Sequence, residues 1–184
     1  MRALSLLLCC LAGMAFADAE PYKLDTARSE VGFSYEFEGQ PKSGTMPVQA
    51  AQMRLDLDNI ANSTVDVTLN AAAAKAGFIF ATQTMKGPQV LDTDNHPTIR
   101  FRSTALSGDM NGAAIKGKLT VRGVTKPVTL QAKLYRQSGT ELGDRSKLSV
   151  LLTGQIDRNA FGAGGFPGYV GPTIGLRILA RINR

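Results

Sequence analysis

The sequence predicts an all-β protein: one antiparallel β-barrel of about eight strands with short helices capping one end. Three observations predict it. Apolar residues recur at every second position through most of the chain. Turn-forming pairs separate those alternating runs. One stretch, Ala71 to Leu91, abandons the alternation for helix formers.

Successive residues of a strand face opposite sides, so an alternating run has one apolar and one polar face. Val31, Phe33, Tyr35 and Phe37 form the first such run, and Met53, Leu55 and Leu57 the next. Val65, Val67 and Leu69 follow, then Ile99 and Phe101, then Ile115, Leu119 and Val121. Val128, Leu130, Ala132 and Leu134 continue the pattern, as do Leu148, Val150, Leu152 and Ile156. Ile174, Leu176, Ile178, Ala180 and Ile182 end it. Glu38-Gly39, Asn111-Gly112, Arg122-Gly123, Ser138-Gly139 and Gly143-Asp144 are turn signals between runs. Strands with one apolar face belong to an antiparallel sheet, and closing the sheet into a barrel removes its exposed edges. A two-sheet sandwich would share the pattern, and periodicity does not separate the two.

Between Ala71 and Leu91 the run of alanines, then Phe78, Ile79, Phe80 and Met85, reads as short helical pieces laid across a barrel end. Gly87-Pro88 and Asn95-His96-Pro97 punctuate this segment. Gly162 to Gly171 is a glycine-rich loop before the last strand. In the preceding turn, Gly162 permits a positive φ and Phe161 anchors the loop.

The first residues read as a secretory signal peptide. Met1-Arg2 gives a positive start, Ala3 to Met14 is apolar, and Ala15-Phe16-Ala17 offers small residues where a signal peptidase cuts. Residues 1–17 are therefore expected to be removed after Ala17, leaving residues 18–184 as one domain. Cys9 and Cys10, the only cysteines, leave with that segment, so the mature chain has no disulfide. The formal charge of +6 falls by one as Arg2 is lost. This modest excess suits an anionic membrane surface. Export, with no arginine-rich run, argues against nucleic acid.

Alternation places Phe33, Tyr35, Phe101, Leu119, Leu130 and Leu152 on inward faces. A small barrel is either filled by its side chains or hollow enough for one ligand. The absence of tryptophan and the small inward residues Gly117, Ala132, Gly154 and Ala180 favour a cavity. Phe78, Phe80 and Met85, where the strand pattern breaks, form a second group of expected ligand contacts at the barrel mouth. Lys116, Lys118 and Arg122 share one outward face, and Arg177 and Arg181 another; they keep the barrel soluble or orient it on a membrane. His96 is the single histidine, which gives no zinc ligand set. There is no G-x-S-x-G elbow. No catalytic residue, metal ligand or cofactor is assigned; a hydrolase using His96 is a minor alternative.

Five blocks carry a family resemblance. Gly117-Lys118-Leu119-Thr120-Val121-Arg122-Gly123-Val124-Thr125-Lys126-Pro127-Val128 resembles the strand–turn–strand signature of the YceI family. Tyr22-Lys23-Leu24-Asp25 is similar to its opening, and Val31-Gly32-Phe33 to its first long strand. Leu91-Asp92 with His96-Pro97-Thr98-Ile99-Arg100-Phe101-Arg102-Ser103 resembles a further block, and Arg158-Asn159-Ala160-Phe161-Gly162 its R-x-x-F-G turn. The loop Gly164-Gly165-Phe166-Pro167-Gly168 and the pair Gly171-Pro172 depart from the family pattern. The resemblance implies a periplasmic, lipocalin-like barrel that carries a long-chain polyisoprenoid or similar amphiphilic lipid, a quinone or prenyl phosphate among them, and performs no chemistry. It leaves monomer and homodimer open. An alternative from another class is an accessory protein whose filled barrel docks on a membrane complex.

Overall fold

The computed structural model describes residues 19–184. The signal segment, its cleavage point and both cysteines lie outside the described residues. Ten strands run β1 Glu20–Leu24, β2 Glu30–Phe37, β3 Gln40–Thr45, β4 Val48–Leu55, β5 Thr64–Asn70, β6 Thr98–Gly108, β7 Ala113–Val121, β8 Val124–Arg136, β9 Lys147–Asp157 and β10 Thr173–Asn183. One α-helix, α1, spans Ile79–Lys86.

Eight strands close a ring. β4 to β10 pair consecutively and antiparallel, apart from the β2–β3 hairpin's position. β1 seals the ring by pairing with β4 through Tyr22↔Met53 and with β10 through Leu24↔Ile182. β2 and β3 form a hairpin on the other half of the same β10 edge, with Leu176↔Phe33 in register. The fold is thus the expected antiparallel barrel, and the pairing of β1 with β10 separates it from the two-sheet sandwich that the alternation also allowed. β7 shows the cause most clearly: Ala113, Ile115, Gly117, Leu119 and Val121 are buried while the residues between them are half-buried or exposed.

Two turns are set by sequence. Glu38 and Gly39 have φ of 50° and 74°, and Arg122 and Gly123 repeat those values. Positive φ at both central residues is the turn that matches strand twist in a two-residue hairpin. Bulges interrupt the register between Val48 and Ala50 and between Ser103 and Ala105. Each adds an unpaired residue and bends its strand.

β1 and β3 carry no alternating signal. β3 reads Gln-Pro-Lys-Ser-Gly-Thr, and its place is fixed by pairing with β2 and by Lys75. The amide of Thr45 donates to the Lys75 carbonyl at 2.8 Å, and that of Lys75 donates back to Thr45 at 2.9 Å.

One end of the ring is covered by irregular chain: the 3₁₀ turn Ala71–Ala73, α1, and the 3₁₀ turn Arg158–Phe161 with the glycine-rich loop. The predicted helical cap is there, though shorter than the Ala71–Leu91 stretch. Asn70 caps the first turn, accepting from the Ala73 amide at 3.0 Å. Gly162, at φ 72°, ends the last one in the left-handed conformation.

Candidate ligand cavity

A cavity of ≈ 270 Å³ runs along the barrel interior. Its volume lies just below the ~300–1,000 Å³ usual for ligand sites. Every strand from β4 to β10 contributes apolar side chains, and β2 adds Val31 and Phe33. Arg158 is the one lining residue that is not apolar.

Six of the nine expected contact residues meet there: Phe33, Met85, Phe101, Leu119, Leu130 and Leu152. Three do not. Tyr35 is buried, but its hydroxyl donates to the Ala76 carbonyl at 2.7 Å, which ties the cap segment to the β2–β3 hairpin outside the lining. Burial raises its phenol pKa. Phe78 and Phe80 correct the expectation more sharply. Phe78 is 39% exposed and packs edge-on against Phe37, with centroids 5.8 Å apart. Phe80 is 66% exposed. Consecutive residues at a helix start cannot all point one way: Met85 turns inward to Met46, Ala71 and Ala74, so the first turn faces out.

The expected source of space also needs correction. A side chain at Gly117 would collide with the Phe101 ring, one at Gly44 with the Phe33 ring, and one at Gly154 with Leu130. These glycines are seats for large neighbours, which fold down onto them. Phe33, Phe101 and Leu130 all border the void. Met46, Met53 and Met85 border it, and methionine reshapes around flexible contents.

The other sequence-marked groups are dispersed. Arg122 does not share an outward cationic face with Lys116 and Lys118. It occupies the β7–β8 turn, and its guanidinium donates to the carbonyls of Gly162 at 2.7 Å and Val90 at 3.3 Å. Arg181 donates to the Ser149 hydroxyl at 2.8 Å. The His96 ring packs over Gly123, and its amide donates to the Asp92 carbonyl at 2.8 Å. The Asp92 carboxylate is engaged by Asn95 instead of the imidazole.

Arg158, which the sequence marks only as part of the R-x-x-F-G turn, also reaches the cavity lining. Its 3₁₀ turn carries the side chain inward at 5% exposure. Nε donates to the Gly171 carbonyl at 2.9 Å, Nη1 to Ala163 at 2.6 Å and Gly165 at 2.8 Å, and Nη2 to Val170 at 2.8 Å. One guanidinium therefore shapes most of the glycine-rich loop. Phe161, 2% exposed, anchors the same turn against Leu119 and Val121, as expected, and also borders the cavity.

The family model described as a YceI-like domain matches residues 22–182. The chain belongs to the YceI family. The family member named Protein YceI from Escherichia coli O17:K52:H18 is 30% identical over 132 residues, which cover 70% of this chain and 69% of that protein. Two solved structures share the fold. Burkholderia cenocepacia BcnA superposes with a TM-score of 0.75 at 20% identity, covering 86% of this chain and 99% of that one. A polyisoprenoid binding domain from Saccharophagus degradans gives 0.66 at 11% identity, covering 88% and 97%.

Proposed function

We propose that this YceI protein is a periplasmic carrier that holds a long-chain polyisoprenoid or similar amphiphilic lipid in its barrel and performs no chemistry on it. One observation carries the reading: a continuous interior void whose lining is apolar at every residue but Arg158. Each methylene moved from water into such a site gains about 0.8 kcal/mol, so a long chain is held by area alone. The related fold of a protein described as a polyisoprenoid binding domain supports the class of ligand.

The rim suggests where loading occurs. Of the seven exposed large apolar side chains among the described residues, five lie on the capped end: Phe78, Ile79, Phe80, Phe166 and Tyr169. They are neighbours through Phe37, which contacts Phe78 and bridges to Val170. In this reading the rim meets the membrane from which the lipid is drawn, helped by the chain's positive charge.

Solvent extraction of the protein purified from periplasm, followed by mass spectrometry, tests the carrier role. The expected result is one isoprenoid-class lipid at near one per chain. A lipid-free protein that also takes up no added prenyl lipid would overturn it, and the exposed rim would then mark a protein-docking surface.

A further inference from the structure

We propose that lipid enters and leaves the barrel sideways, through a seam between β8 and β9 at the capped end, with Phe161 as its plug and Arg122 as its clasp. The inference rests on the carrier reading and adds the route to it.

β8 and β9 are neighbours in the ring but part company along their length. β8 begins at Val124 and β9 ends at Asp157, yet their ladder runs only from Gln131↔Thr153 to Arg136↔Leu148. Residues 124–130 of β8 and 154–157 of β9 have no ladder partner across the seam. Each strand keeps its partner on the other side: β8 pairs with β7 up to Val121↔Val124, and β9 with β10 up to Asp157↔Thr173. Pro127 is one cause. In the two-residue β7–β8 hairpin Val121 and Val124 bond to each other, so Thr125, Pro127 and Thr129 turn their backbone groups to the seam. Proline has no N–H to give there. Among the described residues, no backbone hydrogen bond from a turn or loop reaches residues 125–129 either. The fork is at Gly154, where an added Cβ would lie 2.7 Å from the Leu130 side chain and 3.3 Å from the Thr129 carbonyl oxygen.

Side chains, not backbone hydrogen bonds, close the seam. Val128, Ile156 and Phe161 border the cavity on its inner side. Thr125, Pro127, Thr129, Gln155 and Asp157 are exposed outside. Phe161 comes from the 3₁₀ turn that follows β9 and packs in one cluster with Val124, Val128 and Ile156. Across the open end, the Arg122 guanidinium of the β7–β8 turn donates to the carbonyl of Gly162, the residue after Phe161, at 2.7 Å. Opening here displaces one aromatic side chain and one side-chain hydrogen bond. Opening a paired junction of the wall would strip backbone groups of their ladder partners. The other flank of the cap is tied more firmly, by the reciprocal bonds of Thr45 and Lys75 and by the bond from Tyr35 to Ala76. A lateral slot also suits an amphiphile. The chain slides in lengthwise while its polar end stays among the polar residues outside, and never crosses the apolar interior.

Cross-linking the full mature chain tests the route. Thr129→Cys with Gln155→Cys, at exposed positions flanking the seam, are joined by a short bis-maleimide. A control pair, Ser43→Cys with Gln83→Cys, is joined the same way across the surface groove between β3 and α1. Chains loaded with geranylgeraniol are mixed with phosphatidylcholine vesicles carrying the deuterated alcohol, and native mass spectrometry follows the exchange. The seam link is expected to slow exchange about tenfold or more, relative to the same cysteines blocked singly with N-ethylmaleimide, the effect of a modest added barrier. The groove link should leave the rate as it was. Exchange through a linked seam at the unlinked rate overturns the route and leaves the carrier reading standing. Slowing by the groove link alone, or by both links alike, does the same. Chains that never take up geranylgeraniol overturn the carrier reading, and the route with it. Two variants that leave the seam unlinked locate the closure. Arg122→Gln removes the clasp without altering the cavity lining and should exchange faster than the parent. Phe161→Leu, a smaller plug, should do the same. An unchanged rate in either overturns the role given to that residue, and if the leucine variant fails to fold, the seam link decides the route.

Discussion

The two ends of the barrel are closed by different kinds of structure. At the far end the closure is regular. β1 bridges β4 and β10, and Tyr22, Leu148 and Ile182 pack beneath it at 4%, 2% and 1% exposure. Ile60 plugs the remaining gap against Leu106 and Ala113. The turn carrying Ile60 is fixed by Asp56, which accepts from the amides of Asp58 at 3.0 Å and Asn59 at 2.8 Å and from the Asn62 side chain at 2.9 Å. At the capped end no strand among the described residues closes the ring. Cover comes from α1 and the glycine-rich loop, whose own backbone is satisfied by Arg122, Arg158 and Tyr35. Those same segments place Met85 and Phe161 inside and Ile79 and Phe80 outside. A cover held by a few side-chain anchors can open at lower cost than a paired strand. The capped end is therefore the end of the barrel that opens more readily.

The comparison is broken most forcefully from the barrel wall. Phe101 lines the cavity and is seated over Gly117, so Phe101→Ala should cost ~3–5 kcal/mol in chemical denaturation. Bound lipid should persist in whatever fraction folds, because the wall loses packing and the capped end stays as it is. Gly117→Ala is the complementary test. The new methyl group must lift the Phe101 ring off its seat and into the void, at ~1–3 kcal/mol. Unlike Phe101→Ala, it should reduce lipid per chain, measured by extraction and mass spectrometry. Equal lipid loss from both would mean that wall packing, and not void shape, sets retention.

Acid should weaken the far end through Asp56. Hydrogen bonds from Asn62, then from the amides of Asn59 and Asp58, hold its carboxyl below the usual carboxylate range. A carboxyl with a lowered folded pKa adds stability that is complete above its unfolded value, about 4. That stability is lost as pH falls through the lower folded value. Unfolding free energy measured against pH should therefore decline less steeply below pH ~4 in Asp56→Asn than in the parent chain.

Sequence and structure agree wherever packing follows period two. All eight alternating runs became strands, and six of nine expected contact residues border one void. Legibility fails where position depends on a partner far along the chain. β3 has no apolar face, and only the Phe33 ring and Lys75 explain why Gly44 lies in a sheet. Gly117 reads as open space until Phe101 is seen above it. Phe78 and Phe80 read as lining because composition says apolar and cannot say which way a short helix turns. Arg158 reads as a turn residue because its acceptors are carbonyls, which carry no side-chain signature.

The smallest expected effect on stability is the most informative about the capped end. Ile79 is 79% exposed and Phe80 66% exposed, so neither contributes much to the core. Replacing both by serine should shift unfolding free energy by no more than about 0.5 kcal/mol per site, the usual range for surface changes. It should leave the equilibrium lipid content unchanged, since neither residue borders the cavity. The rate of lipid uptake from anionic vesicles, followed by stopped-flow fluorescence, should nonetheless fall, because a bilayer contact that buries these side chains loses its apolar area. A matching pair at the far end, Tyr135→Ser with Leu142→Ser, removes side chains that are 50% and 91% exposed and should leave uptake as it was. If both pairs slow uptake alike, exposed apolar area anywhere on the surface suffices and the ends are equivalent. If only the capped-end pair slows it, the irregular cover is where the lipid enters.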